Sequence, residues 1–289
     1  MSGFDPDEEA ACRRLVDLAL AEDLGATGDR TSRALIAADQ PGKAVFVART
    51  PGVVAGLPAA ALVCATVDAR LVFTPAVGDG TTVDRGTVLA EVSGPLRAIL
   101  AAERTALNFL QRLSGVASLT RTYVDAAAGF AARILDTRKT TPGWRLLEKY
   151  AVRAGGGTNH RVGLYDGILI KDNHLAGIGG DVRHAVETAR GTRGNDWLPV
   201  EVEVDTAAQL EDALAALADI VLLDNMTLDQ LRAAVGRRDA VSPDTKLEAS
   251  GGITLATVRA VAATGVDRIS VGALTHSAPA LDIALDYAR

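Results

Sequence analysis

Cationic side chains cluster at three points in the middle of this 289-residue chain: Arg138-Lys139, His160-Arg161 and Lys171. Between Asp136 and His174, seven cations (Arg138, Lys139, Arg145, Lys149, Arg153, Arg161, Lys171) stand against four acids (Asp136, Glu148, Asp166, Asp172). That local balance of 7 − 4 = +3 sits in a chain of net charge −6. Such an island serves an anionic ligand or is a solvated face, and its position on the fold decides which. Arginine suits bidentate pairing with carboxylate or phosphate, and lysine supplies a compact point charge. Thr137 and Thr140 flank the first pair with hydroxyls suited to the same anions, the plainer alternative being capping or surface charge. Only five lysines accompany twenty-five arginines, and Lys139 and Lys171 both fall at predicted strand ends. Lys171 is also placed to act as a Schiff-base lysine, as in barrel aldolases.

Glu203 and Asp224 come from the ends of adjacent predicted strands. One or two carboxylates together with substrate phosphates are the usual setting for Mg²⁺; neutralising nearby cations is the other role open to them. Ser250-Gly251-Gly252 and Val271-Gly272-Ala273 end the last two predicted strands, where backbone N–H groups leading into helices cradle phosphate. Gly155-Gly156-Gly157 ends a helix just before Asn159-His160-Arg161 and allows a positive-φ path. His160, His174, His184 and His276 lack metal-ligand spacing and have no cysteine support, which argues against zinc. The stretch Gly78–Val92 has the turn rhythm of a lipoyl or biotinyl carrier hairpin. No lysine lies between Lys43 and Lys139, so it reads as structural sheet.

The elements that must position these groups fall into two regions. Helical spacing of Cys12, Leu15, Val16, Leu18, Ala19 and Leu20 predicts a helix over 5–24. Strand-like segments follow at 43–49, 53–56, 70–75 and 88–92, broken by Gly and Pro, and then a helical pattern over 97–127. From Arg133 onward, strands (133–140, 167–174, 198–206, 220–225, 246–252, 268–274) alternate with helices (145–154, 182–190, 207–218, 228–237, 255–263). This rhythm implies parallel strands with crossover helices. In Val200-Glu201-Val202-Glu203-Val204-Asp205, valines alternate with acids. A strand sandwiched between helix layers would be apolar on both faces, whereas a barrel strand can face helices outside and a polar cavity within. The expectation is an α/β protein: an α+β first region followed by a barrel somewhat short of eight strands. The polar site belongs at the carboxyl ends of the barrel strands.

Composition narrows the function classes. Hydrophobic residues make up 48% and charged residues 23%, the balance of a globular protein. No apolar run approaches the ~18 residues of a membrane span, and the acidic N-terminus does not resemble a signal peptide. Two cysteines among alanines and aliphatics read as buried thiols in a reducing compartment, hence the cytoplasm. The net charge of −6 argues against nucleic acid or an anionic membrane as partner.

Several segments in order resemble one family. They are Asp136-Thr137-Arg138-Lys139-Thr140-Thr141-Pro142-Gly143, Gly155-Gly156-Gly157-x-Asn159-His160-Arg161, Leu169-Ile170-Lys171-Asp172-Asn173-His174, Glu201-Val202-Glu203-Val204-Asp205, Leu223-Asp224-Asn225, Glu248-x-Ser250-Gly251-Gly252 and Val271–Ser277. Upstream, Gly52–Gly56 and Ala102–Asn108 match too. Over roughly residues 18–283 the chain resembles the quinolinate phosphoribosyltransferases, type II phosphoribosyltransferases of pyridine nucleotide biosynthesis. The resemblance implies that quinolinate and phosphoribosyl pyrophosphate, with Mg²⁺, give nicotinate mononucleotide, pyrophosphate and CO₂ in de novo NAD synthesis. It implies a homodimer or higher homo-oligomer in which Arg104 reaches a neighbouring subunit's site. It assigns the quinolinate carboxylates to Arg104, Arg138, Lys139, His160 and Arg161, and ribose hydroxyls and Mg²⁺ to Glu203 and Asp224. Ser250, Gly251, Gly252 and the Val271-Gly272-Ala273 turn take the 5′-phosphate, Thr137 also binds substrate, and the fold implied is an N-terminal α/β sandwich over 1–115, joined by 276–289, with an incomplete (β/α) barrel over 116–275. Lys139 or Lys171 stabilises the ylide left by decarboxylation. The rivals are a paralogue acting on another pyridine such as nicotinate, a Schiff-base lyase using Lys171, and a non-enzymatic ligand-binding or molybdenum-uptake-associated relative.

Overall fold

A computed structural model of the chain describes residues 3–193 and 198–287. Its strands in chain order are β1 (Pro41–Ala48), β2 (Gly52–Val53), β3 (Val72–Pro75), β4 (Thr82–Val83), β5 (Val88–Pro95), β6 (Arg133–Leu135), β7 (Ile168–Ile170), β8 (Val200–Val204), β9 (Ile220–Asp224), β10 (Lys246–Ser250), β11 (Arg268–Ser270) and β12 (Ile283–Tyr287). The chain forms two compact units. The first gathers residues up to 121, 139–156 and 273 onward; the second comprises 122–138 and 157–272.

The first unit holds an antiparallel sheet in the order β12-β1-β5-β3 and a small β2-β4 pair. Ala44, Phe46 and Ala48 share one buried face of β1, and Val47 on the other face is buried too. Helix Pro6–Leu24 starts at a capping box: Glu8 N–H donates to Asp5 at 2.8 Å and Asp5 N–H to Glu8 at 3.0 Å. Helix Leu57–Val67 is absent from the sequence reading, which expected only strand segments between 43 and 92. Its residues (Leu-Pro-Ala-Ala-Ala-Leu-Val-Cys-Ala-Thr-Val) are apolar all round, so no amphipathic period marks it. A distant side chain supplies its cap. The Asp79 carboxylate accepts from Gly56 N–H at 2.7 Å, Leu57 N–H at 3.2 Å and Tyr150 O–H at 2.7 Å. Burial nonetheless pushes the Asp79 carboxyl above its ordinary range, against those three donors.

The second unit carries six parallel strands in the order β6-β11-β10-β9-β8-β7. β7 to β11 therefore follow chain order and β6 closes onto β11, leaving one seam between β6 and β7. This is the incomplete barrel expected from sequence. The strand expected over 133–140 ends at Leu135 because the chain after the glycine run takes over its free edge. Thr158 N–H donates to the Ile134 carbonyl at 2.8 Å, and the buried Asp136 carboxylate accepts from Asn159 Nδ2 at 2.6 Å and His160 N–H at 2.8 Å. The strand expected over 167–174 ends at Ile170, and helix Asp172–Gly177 follows. His174 Nδ1 accepts the Lys171 N–H at 2.9 Å and closes that helix's first turn. Side-chain caps at Asp181, Thr206 and Thr227 start the helices after β7, β8 and β9.

Candidate active site

Alternation along each strand turns every second residue to the barrel interior, some at the carboxyl ends and others deeper. Val200, Val202 and Val204 of β8 are buried on the helix side, so Glu201 and Glu203 face inward. Glu203 is level with Leu222 and Asp224 with Ser250, which places Glu203, Asp224 and Ser250 on the inner face at the carboxyl ends of β8, β9 and β10. Lys171, directly after β7, forms an ion pair with Glu203 there. Lys171 is about half exposed and Glu203 mostly covered. Asp224 accepts from the Asn225 amide at 2.7 Å.

Asn225 itself takes a left-handed φ of 52°, and its N–H donates to the Ser250 carbonyl at 2.9 Å. Gly251 follows at φ 90°, and a Cβ there would lie 2.2 Å from Asn225 Oδ1, so only glycine fits. Gly252, at φ 61°, has open space where a side chain would be. Backbone can thus approach a ligand closely at this turn. β11 ends at Ser270, and Val271 N–H continues the ladder to the Leu135 carbonyl at 2.9 Å, ahead of Gly272.

The deeper layer was missed from sequence. His160 Nε2 lies 3.1 Å from Glu201 and 3.5 Å from Glu248, and Arg268 Nε donates to Glu248 at 2.6 Å. Glu201 and Glu248 are buried. Burial pushes Glu248 upward, and the Glu201 charge adds to the rise. For His160, burial acts to lower the value, but the Glu201 hydrogen bond and the two carboxylate charges outweigh it and raise it. Arg161 N–H donates to His160 Nδ1 at 2.7 Å, which opposes that rise by favouring the neutral ring. His160 therefore serves the interior through both ring nitrogens. His160, Glu201 and Glu248 bring three potential ligand atoms within 4.8 Å of one another, a proximity the histidine spacings gave no hint of. The signal for Glu201 was present in the Val-Glu alternation; the arrival of Arg268 and Glu248 beside it depends on strand register.

Arg161 Nη1 donates to the Gly167 carbonyl at 3.2 Å, and burial followed by the nearby Arg138 charge pushes Arg161 below the ordinary guanidinium value. Arg161, His160, Glu201 and Arg268 line a cavity of about 340 Å³. Ile168, Ile220 and Arg268, which begin β7, β9 and β11, also line it, so it opens at the amino ends of the strands. Thr137 and Arg138 belong to this unit, in the loop after β6. Lys139, Arg104 and Ala273 belong to the first unit. Arg104 lies on helix Leu96–Ala126 and lines a separate cavity of about 260 Å³ with Leu15, Leu18, Glu22, Phe109 and Trp144. Lys139 begins the loop into helix Arg145–Ala154, and Ala273 begins the short helix Ala273–His276.

The chain is matched along nearly its whole length by two family models. "Quinolinate phosphoribosyl transferase, N-terminal domain" covers residues 29–114, and "Quinolinate phosphoribosyl transferase, C-terminal domain" covers 116–286. A nicotinate-nucleotide pyrophosphorylase [carboxylating] of Mycobacterium leprae is 45% identical over 280 residues, 96% of this chain and 97% of that protein. A probable nicotinate-nucleotide pyrophosphorylase [carboxylating] of Bacillus subtilis is 44% identical, over 95% of this chain and 92% of that protein. The structure of the nicotinate-nucleotide pyrophosphorylase from Francisella tularensis superposes with a TM-score of 0.90 at 40% identity, over 99% of this chain and 98% of that one. A human nicotinic acid phosphoribosyltransferase, at 14% identity and a TM-score of 0.58, shares the fold alone.

Proposed function

This chain belongs to the quinolinate phosphoribosyltransferase family, and we propose that the inner rim of its barrel, Lys171, Glu203, Asp224 and the Ser250-Gly251-Gly252 turn, is where the family's reaction takes place. The enzyme transfers phosphoribose from phosphoribosyl pyrophosphate to quinolinate with loss of CO₂, giving nicotinate mononucleotide and pyrophosphate for NAD biosynthesis. The observation that carries the site is register: one ammonium, two carboxylates and a glycine turn share one inner face at the carboxyl ends of adjacent parallel strands.

Quinolinate is a dianion, and burying its carboxylates unpaired costs several kcal/mol each. Arg138 and Lys139 supply the matching cations, and Arg104 adds another from a neighbouring subunit of a homodimer or larger homo-oligomer. His160, engaged by Glu201 and Arg161 N–H, contributes by holding the Asn159-His160-Arg161 segment in place. Glu203 and Asp224 orient the ribose hydroxyls and stabilise the positive charge that develops at the anomeric carbon as pyrophosphate departs. Ser250, Gly251, Gly252 and the Val271-Gly272-Ala273 turn receive the 5′-phosphate, and Thr137 adds a hydroxyl suited to phosphate or carboxylate. Glu203 and Asp224 are also hard oxygen donors of the kind Mg²⁺ takes alongside phosphate oxygens. Bound there, Mg²⁺ would neutralise the pyrophosphate as it leaves. Once the ring nitrogen is alkylated, the 2-carboxylate leaves and an ammonium, Lys139 or Lys171, stabilises the resulting ylide. Buried Cys12 and Cys64, both pushed up to about 12, suit a reducing compartment such as the cytoplasm.

A Schiff-base role for Lys171 finds no support. Activated lysines sit in a desolvated pocket or beside another cation, whereas Lys171 is about half exposed and paired with Glu203. The reaction is checked with purified protein, Mg²⁺ and phosphoribosyl pyrophosphate, following nicotinate mononucleotide and CO₂ together. Equal amounts of both from quinolinate, and none from nicotinate, are expected. Product from nicotinate without CO₂ would move the enzyme to another acceptor.

A further inference from the structure

The loop that carries Lys139 is held by a chain of polar groups, with Glu148 and Thr275 buried, that the reaction described above does not use. Thr275, fully buried, donates its hydroxyl to the Lys139 carbonyl at 2.8 Å. Two residues further on, Thr141 donates to Glu148 through its N–H at 3.1 Å and its hydroxyl at 3.0 Å. Glu148 is itself fully buried and accepts from Arg112 Nη2 at 2.6 Å and Nε at 3.2 Å. Arg112 closes the circuit by donating to the Thr275 carbonyl, and to the Ala278 carbonyl at 3.0 Å. All of these residues lie within the first unit. A buried carboxylate and a buried hydroxyl, Glu148 and Thr275, are costly to keep unless satisfied, and here the network converges on the main chain on either side of a six-atom stretch, from the Lys139 carbonyl to Thr141 N–H.

We propose that Thr275, Arg112 and Glu148 are positioning residues for Lys139, a clamp that fixes the main chain at Lys139 and hence the direction in which its ammonium meets the pyridine acceptor. Thr275 lies three residues beyond Gly272. The same short segment therefore carries part of the proposed 5′-phosphate turn and the anchor of the acceptor-facing lysine. This rests on the role given to Lys139 above, and on geometry alone.

The test measures KM for quinolinate and for phosphoribosyl pyrophosphate, together with kcat, in Thr275→Val, Thr275→Ser and Lys139→Ala, and in the double variant Lys139→Ala/Thr275→Val. Thr275→Val keeps the shape but removes the donor to the Lys139 carbonyl. It is expected to lower kcat/KM for quinolinate roughly fivefold, the worth of one net hydrogen bond, with KM for phosphoribosyl pyrophosphate unchanged. Thr275→Ser, which keeps the hydroxyl, restores the wild-type value. In the Lys139→Ala background Thr275→Val adds no further loss. Equal losses in both backgrounds, parallel shifts of both KM values, or no loss at all would each overturn the clamp while leaving the assigned reaction intact. An inactive wild type would overturn the assigned reaction, and a fully active Lys139→Ala would overturn the role of Lys139; either takes the clamp with it. Should Thr275→Val fail to fold, Glu148→Gln, which weakens the Arg112 and Thr141 contacts, is held to the same pattern.

Discussion

The deeper layer of the barrel interior and its rim both set carboxylates against cations, and on β8 they stand two residues apart, at Glu201 and Glu203, a separation of roughly 6.6 Å. Glu201 and Glu248 in the deeper layer are enclosed and engaged by His160 and Arg268. Glu203, Asp224 and Ser250 at the rim are partly open, with Glu203 paired to a half-exposed Lys171. A charge enclosed with its partners is committed to the fold, because removing one partner strands the other away from water. A charge at the rim can exchange its partner for a substrate. The difference predicts that the two layers fail in different ways: the deeper one through stability, the rim through rate.

The largest effect is expected from Glu248→Ala, which leaves the Arg268 guanidinium without its enclosed acceptor and His160 with one carboxylate where it had two. Loss of one member of such a buried group costs about 3–5 kcal/mol, read as a drop in the urea midpoint at an unchanged slope. Glu203→Ala, on the same inner face, is expected to move that midpoint little, because its partner Lys171 remains solvated. Equal midpoints for the two variants would erase the distinction between the layers.

The rim is probed by rate. Glu203→Gln keeps the shape and a hydrogen-bond acceptor for Lys171 but loses the charge that faces the developing cation. Removing one electrostatic contact made in the transition state typically costs about 10²–10³ in kcat. The same loss is expected here, with the melting temperature unchanged. A Glu203→Gln enzyme that turns over at the wild-type rate would move the chemistry away from this rim.

Much of this contrast could be read from the chain itself. The alternation of valine and glutamate in Val200–Val204 already required an apolar and a carboxylate-bearing face, and the barrel supplies both. Polar residues late in each strand placed the candidate site at the carboxyl ends. What remained hidden depends on register and on contacts between distant segments. Nothing local to Glu248 or Arg268 says that they meet beneath His160; that follows from β10 pairing with β11 at Glu248 and Arg268. Helix Leu57–Val67 escaped because its cap, Asp79, lies 22 residues from Leu57 in sequence and its apolar residues show no face. The early end of β6 escaped because its edge is taken by Thr158, a residue with no strand signal of its own.

The smallest effect separates two influences on one ring. Burial lowers the tendency of His160 to hold a proton, the Glu201 and Glu248 carboxylates raise it by more, and Arg268 lowers it slightly, leaving the folded value above the ordinary 6.5. A group whose value is raised on folding stabilises the protein fully below its unfolded pKa and loses that contribution as pH rises through the folded one. Glu248, raised for its own reasons, acts in the same direction. The wild-type urea midpoint should therefore fall as pH increases upward from about 6.5, and His160→Gln should flatten the slope in that window. The amide of Arg161 pulls the other way by donating to Nδ1. A slope unchanged by His160→Gln would mean that this amide prevails, the ring stays neutral, and the deeper layer is held by Arg268 and the hydrogen bond from Nε2 to Glu201 without an imidazolium.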